Sequence, residues 1–226
     1  MKMPILTIFL LFIIILTFSL KKTSKVDKNK EKEFWQREHD ANFSRKKSID
    51  DLNYVCIPDT IVTIVSSLDK TIQNYPHINT DSSVDFNITL TEQAINDFNS
   101  LLNSKIVNLG GIPNTDLKLS YGVANLPSLS EYDQNFSKLL TTIEPICNML
   151  LFFDKRQECK TILKWIIDYG ADTGFCYKTL ASMYIEDKEH PQIHYLIKKA
   201  EQINTIRKDS IIRMLNSYLD NVPNNL

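Results

Sequence analysis

The chain is poor in glycine, with only five in 226 residues. That scarcity argues against glycine-rich phosphate loops and against an all-β fold built on many tight turns. Cysteine is scarce too: Cys56, Cys147, Cys159 and Cys176 are the full set of four, with no C-x-x-C spacing. A zinc ribbon, a thioredoxin-like motif and a dense disulfide framework are disfavoured, which fits a reducing compartment. Net charge is nearly absent, −1 at neutral pH, so nothing pulls the whole chain toward nucleic acid. No G-x-x-x-x-G-K-[ST] loop, G-x-G-x-x-G turn or G-x-S-x-G elbow occurs.

Residues that could carry chemistry have plainer uses. His190-Pro191-Gln192-Ile193-His194 spaces two histidines as i, i+4, but no glutamate completes an H-E-x-x-H zinc pattern. His190 reads instead as the residue before a helix that Pro191 opens. His39 and His77 stand alone in polar surroundings. Asp50-Asp51 suits a turn, and Lys198-Lys199 with Arg207-Lys208 suit a solvated helix face and a loop. Gly110-Gly111 reads as a helix stop and turn. No cofactor, metal or nucleic acid is expected.

What the sequence does hold begins with Pro4 to Leu20, an uncharged run of apolar and hydroxyl-bearing residues. As a helix it would extend about 25 Å, a little short for a hydrocarbon core of about 30 Å. A cleaved signal peptide competes, but the basic n-region is Lys2 alone and the small-x-small site at Thr17-Phe18-Ser19 is poor. The expectation is a single-pass transmembrane anchor over 1–22. Lys21, Lys22, Lys25, Lys28, Lys30 and Lys32 crowd its far side, so the positive-inside rule places the folded part in the cytoplasm. Export of that part is the alternative. Residues 23–50 form a charged juxtamembrane segment, with Trp35 and Phe43 expected to pack on the folded domain.

Helical spacing of Ile61, Ile64, Val65, Leu68 and Ile72 predicts a helix over 59–73, preceded by an extended stretch ending at Pro58. The stretch 77–88 is polar, with Asp81-Ser82-Ser83 reading as a loop and Val84-Asp85-Phe86-Asn87-Ile88 alternating briefly. Thr89-Leu90-Thr91-Glu92 reads as a capping box opening a helix with Ala94, Ile95, Phe98, Leu101, Leu102 and Ile106 on one face. A short helix capped by Thr115 or Asp116 follows, and another opens near Tyr132-Asp133.

From Leu140 onward the apolar residues repeat every thirty-four positions. Tyr177, Leu180, Ala181 and Tyr184 map back onto Ile143, Ile146, Cys147 and Leu150, and forward onto Ile211, Met214, Leu215 and Tyr218. Ile193, Ile197 and Ala200 map onto Cys159, Leu163 and Ile166. Such a period marks stacked helix pairs that cannot bury their apolar faces alone.

In period and residue types, 140–220 resembles the tetratricopeptide repeat, a helix–turn–helix unit. Tyr177, Leu180, Ala181, Tyr184, Ile193, Ile197 and Ala200 match the family pattern well, and the preceding unit matches more loosely. Pro145 inside the first A helix, Ile166 at a small-residue position and Thr205 at a frequent proline position depart from it. The resemblance implies that Cys147 and Cys159 sit where the two helices of one unit approach, packed as small apolar groups, or disulfide-bonded if the domain is exported. It also implies a groove lined by the A helices, with Thr141, Glu144, Asn148, Phe175, Lys178, Ser182, Ile212 and Asn216 facing a protein or peptide partner.

The fold class expected is therefore all-α: an N-terminal single transmembrane helix followed by an α-solenoid of TPR-like repeats. Its divisions are 1–22, 23–50, a helical part at 51–131, and repeats with a capping helix at 132–226. The function expected is a membrane-tethered adaptor or assembly factor that contacts the bilayer through residues 4–20. The alternatives are an exported sensor or envelope-assembly domain, and an enzyme with its site in 51–130, around Tyr54, Asp116 and Tyr121.

Overall fold

The computed structural model describes residues 12–13, 28, 30–40, 46–75 and 82–220, with the backbone alone at 82, 83 and 86. Its helices are α1 (30–40), α2 (Asp59–Gln73), α3 (Ser82–Leu101), α4 (Asn114–Tyr121), α5 (Leu126–Phe152), α6 (Arg156–Asp168), α7 (Gly174–Glu186), α8 (Pro191–Glu201) and α9 (Lys208–Asp220). Among the described residues there is no strand, only an isolated antiparallel bridge between Tyr54 and Val107.

The all-α reading stands and the transmembrane part of it does not. Among the described residues no helix is long and apolar enough to cross a membrane. The two longest fail on polarity: α3 carries Asp85, Glu92 and Asp97, and α5 carries Glu131, Asp133, Lys138 and Glu144. Of the run 4–20, only Phe12 and Ile13 lie within the described residues; the rest lies outside them.

The chain divides into two compact units, Met1–Ile49 with Pro113–Leu126, and Asp50–Ile112 with Pro127–Leu226. In the first, polar groups join α1 to α4. Arg37 pairs with Asp116, and Glu38 accepts hydrogen bonds from Thr115 at 2.7 Å and Lys118 at 2.8 Å. The Lys118 bond, followed by that from Thr115, holds the Glu38 carboxyl below its usual range. Trp35 stacks edge-on against Phe34 with ring centroids 5.6 Å apart. Among the described residues it stays 64% exposed rather than packed as expected; Phe43 lies outside the described residues.

In the second unit the thirty-four-residue pattern appears as burial. Ile143, Ile146, Cys147, Leu150, Tyr177, Leu180, Ala181, Tyr184, Ile211 and Leu215 are all buried, as are Cys159, Leu163, Ile166, Ile193 and Ala200. The turns repeat as well. After α5, the Lys155 N–H bonds the Leu150 carbonyl and the Asp154 N–H bonds that of Leu151. After α7, Glu189 bonds Tyr184 and Lys188 bonds Ile185, the same pair of bonds thirty-four residues on. Both are Schellman closures, which satisfy carbonyls orphaned at a helix end. Helix α6 packs on α7, α7 on α8 and α9, and α8 on α9. This is an arrangement compatible with a helical repeat.

Helices α2 and α3 pack on each other, and α2 packs on α6. Helix α3 runs antiparallel to α5. Lys138, midway along α5, bonds Asp97 and Ser100 late in α3 at 2.8 and 3.0 Å. Thr91, further back along α3, approaches the Pro145 carbonyl at 3.4 Å. The expected 59–73 helix agrees with α2 at both ends. Helix α3, by contrast, opens at Ser82 and passes straight through the supposed capping box. There the hydroxyls of Thr89 and Thr91 bond back to the carbonyls of Asp85 and Asn87, the in-helix alternative for threonine. Helix α5 likewise opens at Leu126, earlier than the Tyr132-Asp133 expected.

Residues 105–112 are not a continuation of that helix but an extended strap. Its backbone bonds to Val55, Tyr132 and the Asp133 carboxylate. Gly110-Gly111 therefore does not stop α3, which ends at Leu101. It forms a turn against the α8–α9 connection. At Gly111, with φ +79°, a Cβ would stand 2.3 Å from the Asn204 carbonyl oxygen, so glycine is required there.

Candidate functional site

Among the described residues of the second unit, an open groove of about 680 Å³ lies between α3 and α5. Helix α3 contributes Val84, Asn87, Leu90 and Thr91, and α5 contributes Thr141, Glu144, Pro145, Asn148, Met149 and Phe152. The α3 residues recur at three and four positions, forming a stripe beside the one that buries Ile88, Ala94, Ile95 and Phe98 in the core. The Lys138–Asp97 pair stands beyond the Thr91 level of the groove. Thr91 is 1% exposed and ties the two walls together through the Pro145 carbonyl. That carbonyl belongs to a proline which α5 carries through without ending.

The walls combine apolar surface that water would rather leave with polar groups that need partners. Leu90 is 40% exposed and Phe152 51%, both large for uncovered apolar side chains. Phe152 also stacks edge-on with Tyr75 and Phe153, at centroid distances of 5.9 and 5.1 Å. Among the described residues Glu144 is the single ionisable residue of the lining. Asn87 and Asn148 face the same space from opposite walls, on exposed positions. The volume lies in the usual range for ligand clefts, while the polarity and openness suit a segment of chain better than an enclosed substrate.

The structure brings together three of the eight residues expected to form a groove: Thr141, Glu144 and Asn148. The other five lie on α7 and α9 outside this cavity. Phe175 and Ile212 are half-buried and packed on the core. The Ser182 hydroxyl is 3.2 Å from that of Tyr218. Lys178 and Asn216 are exposed. Not expected were Pro145, Met149 and Phe152 on α5 and the whole α3 wall. The signal of that wall was the Val84, Asn87, Leu90, Thr91 spacing, concealed by reading Val84–Ile88 as alternating and Thr89–Glu92 as a helix start.

The remaining candidates separate. Tyr54 belongs to the second unit, in a T-shaped contact with Tyr132 and with the Lys105 ammonium 5.4 Å from its ring centre. Asp116 and Tyr121 belong to the first unit, where Asp116 pairs with Arg37. Among the described residues no cluster of three histidine, cysteine, aspartate or glutamate side chains could hold a metal. Cys147 and Cys159 are free, fully buried thiols in hydrogen-bond contact, which is the packing use expected of them. Burial pushes the Cys147 thiol well up, and that of Cys176 to about 12.

No family model, no curated protein and no solved structure matches the chain.

Proposed function

We propose that the second unit is a TPR-like protein-interaction module, and that it holds a short peptide segment of a partner protein in the groove between α3 and α5. The observation that carries this reading is the pairing of uncovered Leu90 and Phe152 with a single carboxylate, Glu144, in one cleft of about 680 Å³. The family assignment rests on the thirty-four-residue register of burial and turns. In this reading the chain is an adaptor or assembly factor rather than an enzyme. Repeat arrays commonly present rigid grooves of this kind, because each helix is fixed by its neighbours.

A random-peptide display library panned on the full chain tests it. Peptides should enrich on the wild-type protein and be lost on a Leu90→Ser, Phe152→Ser variant that keeps wild-type helicity and unfolding midpoint. Equal enrichment on both proteins contradicts the proposal.

A further inference from the structure

We infer that the segment held between α3 and α5 is an extended strand, not a helix, and that it carries a lysine or arginine opposite Glu144. The inference rests on the docking reading above and specifies its ligand.

The antiparallel register supplies the first argument. Thr91 meets the Pro145 carbonyl. One turn back along α3 from Thr91 is Asn87, and almost one turn forward along α5 from Pro145 is Asn148. The two amides therefore stand at about the same height on opposite walls. Each offers an N–H donor pair and a carbonyl acceptor, and among the described residues neither is engaged by another protein group. A helical ligand has satisfied its own backbone and has no use for such a pair. An extended ligand presents an unpaired N–H and C=O at every residue, which facing amides can bond.

Charge supplies the second argument. Glu144 lies four residues before Asn148 on α5, about 6 Å up the groove, and among the described residues no cation lines the cleft to neutralise it. An acidic segment would meet an unpaired carboxylate, and a wholly apolar one would cover it without a partner. A basic side chain pairs with it while its stem lies on Pro145 and Leu90. Phe152 and Met149, at the other end, take an apolar side chain. The ligand thus reads as a basic residue, a backbone stretch gripped by amides, then an apolar anchor.

The periodicity of library-selected peptides tests this on the full chain. Selected sequences should alternate apolar and polar residues with a period of two and share one Lys or Arg. Glu144→Gln should weaken those peptides by about tenfold, the loss typical of one charge-assisted bond. Glu144→Lys should select acidic residues at that place instead. The Asn87→Ala, Asn148→Ala variant should weaken all selected peptides alike. Selected peptides with apolar residues three and four apart, indifferent to the amide substitutions, would overturn the extended strand while leaving docking intact. Enrichment that survives the Leu90→Ser, Phe152→Ser change would overturn docking itself.

Discussion

Asp154 and Lys188 stand thirty-four residues apart, and both hold left-handed backbone, with φ of 56° and 60°. They close equivalent turns, α5 into α6 and α7 into α8, with equivalent hydrogen bonds. Neither is glycine, so each turn carries the cost of a Cβ in that conformation. Lys188 is exposed and enters none of the ion pairs that flank it. Lys188→Gly should stabilise the protein by about 0.5–1 kcal/mol, the relief exceeding the added freedom of the unfolded chain. A urea midpoint lower than wild type would show that the turn is not set by this residue.

The Asn108 side chain fastens the strap. Its amide donates to the carbonyls of Tyr169 and Gly170, both at 3.0 Å, and its oxygen accepts from the Gly110 N–H at 3.0 Å. Asn108→Asp keeps the shape but sets a carboxylate against two carbonyls. It should cost about 2–4 kcal/mol in urea unfolding, at least as much as Asn108→Ala. Near-wild-type stability of the aspartate variant would contradict the assigned bonds.

Asp168 links α6 to α8, accepting from Lys199 at 2.7 Å and from the Tyr195 hydroxyl. Burial alone would raise its carboxyl, but the Lys199 and Tyr195 hydrogen bonds outweigh it and hold the group below its usual range. A depressed carboxyl stabilises the folded state above its unfolded value, about pH 4, and the contribution is lost as pH falls through the folded value. The side chain is 42% exposed, so solvent screening limits the effect to about 0.5 kcal/mol. The gap between wild type and Asp168→Asn should therefore be present at pH 7 and shrink at acid pH. A gap that holds or widens below pH 4 argues against the pairing.

Thiol reactivity reports the core directly. Cys56 is exposed, whereas Cys147, Cys159 and Cys176 are buried. Native protein should release one equivalent promptly to a thiol reagent, and all four after denaturation without reductant. Two equivalents in the denatured count would instead show a disulfide.

The repeat was legible because burial of Tyr177, Leu180 and their equivalents depends on local period alone. Helix α2 was legible for the same reason, bounded by Pro58 and Asn74. The start of α3 was not, since Thr89 and Glu92 form a capping signal in sequence that the longer helix overrides with bonds to Asp85 and Asn87. The strap was hidden because Asn108 finds its partners some sixty positions away, at Tyr169 and Gly170. Three of the ten groove residues were visible, Thr141, Glu144 and Asn148, all on α5. The α3 wall required a register that contacts such as Thr91–Pro145 and Lys138–Asp97 reveal.

Hydrogen exchange of the full chain, with and without a library-selected peptide, tests the location of the groove most directly. Slowed exchange confined to 84–91 and 141–152 is the result predicted. Protection centred on α7 and α9, around Lys178 and Asn216, would contradict it and return the binding face to the repeat helices alone.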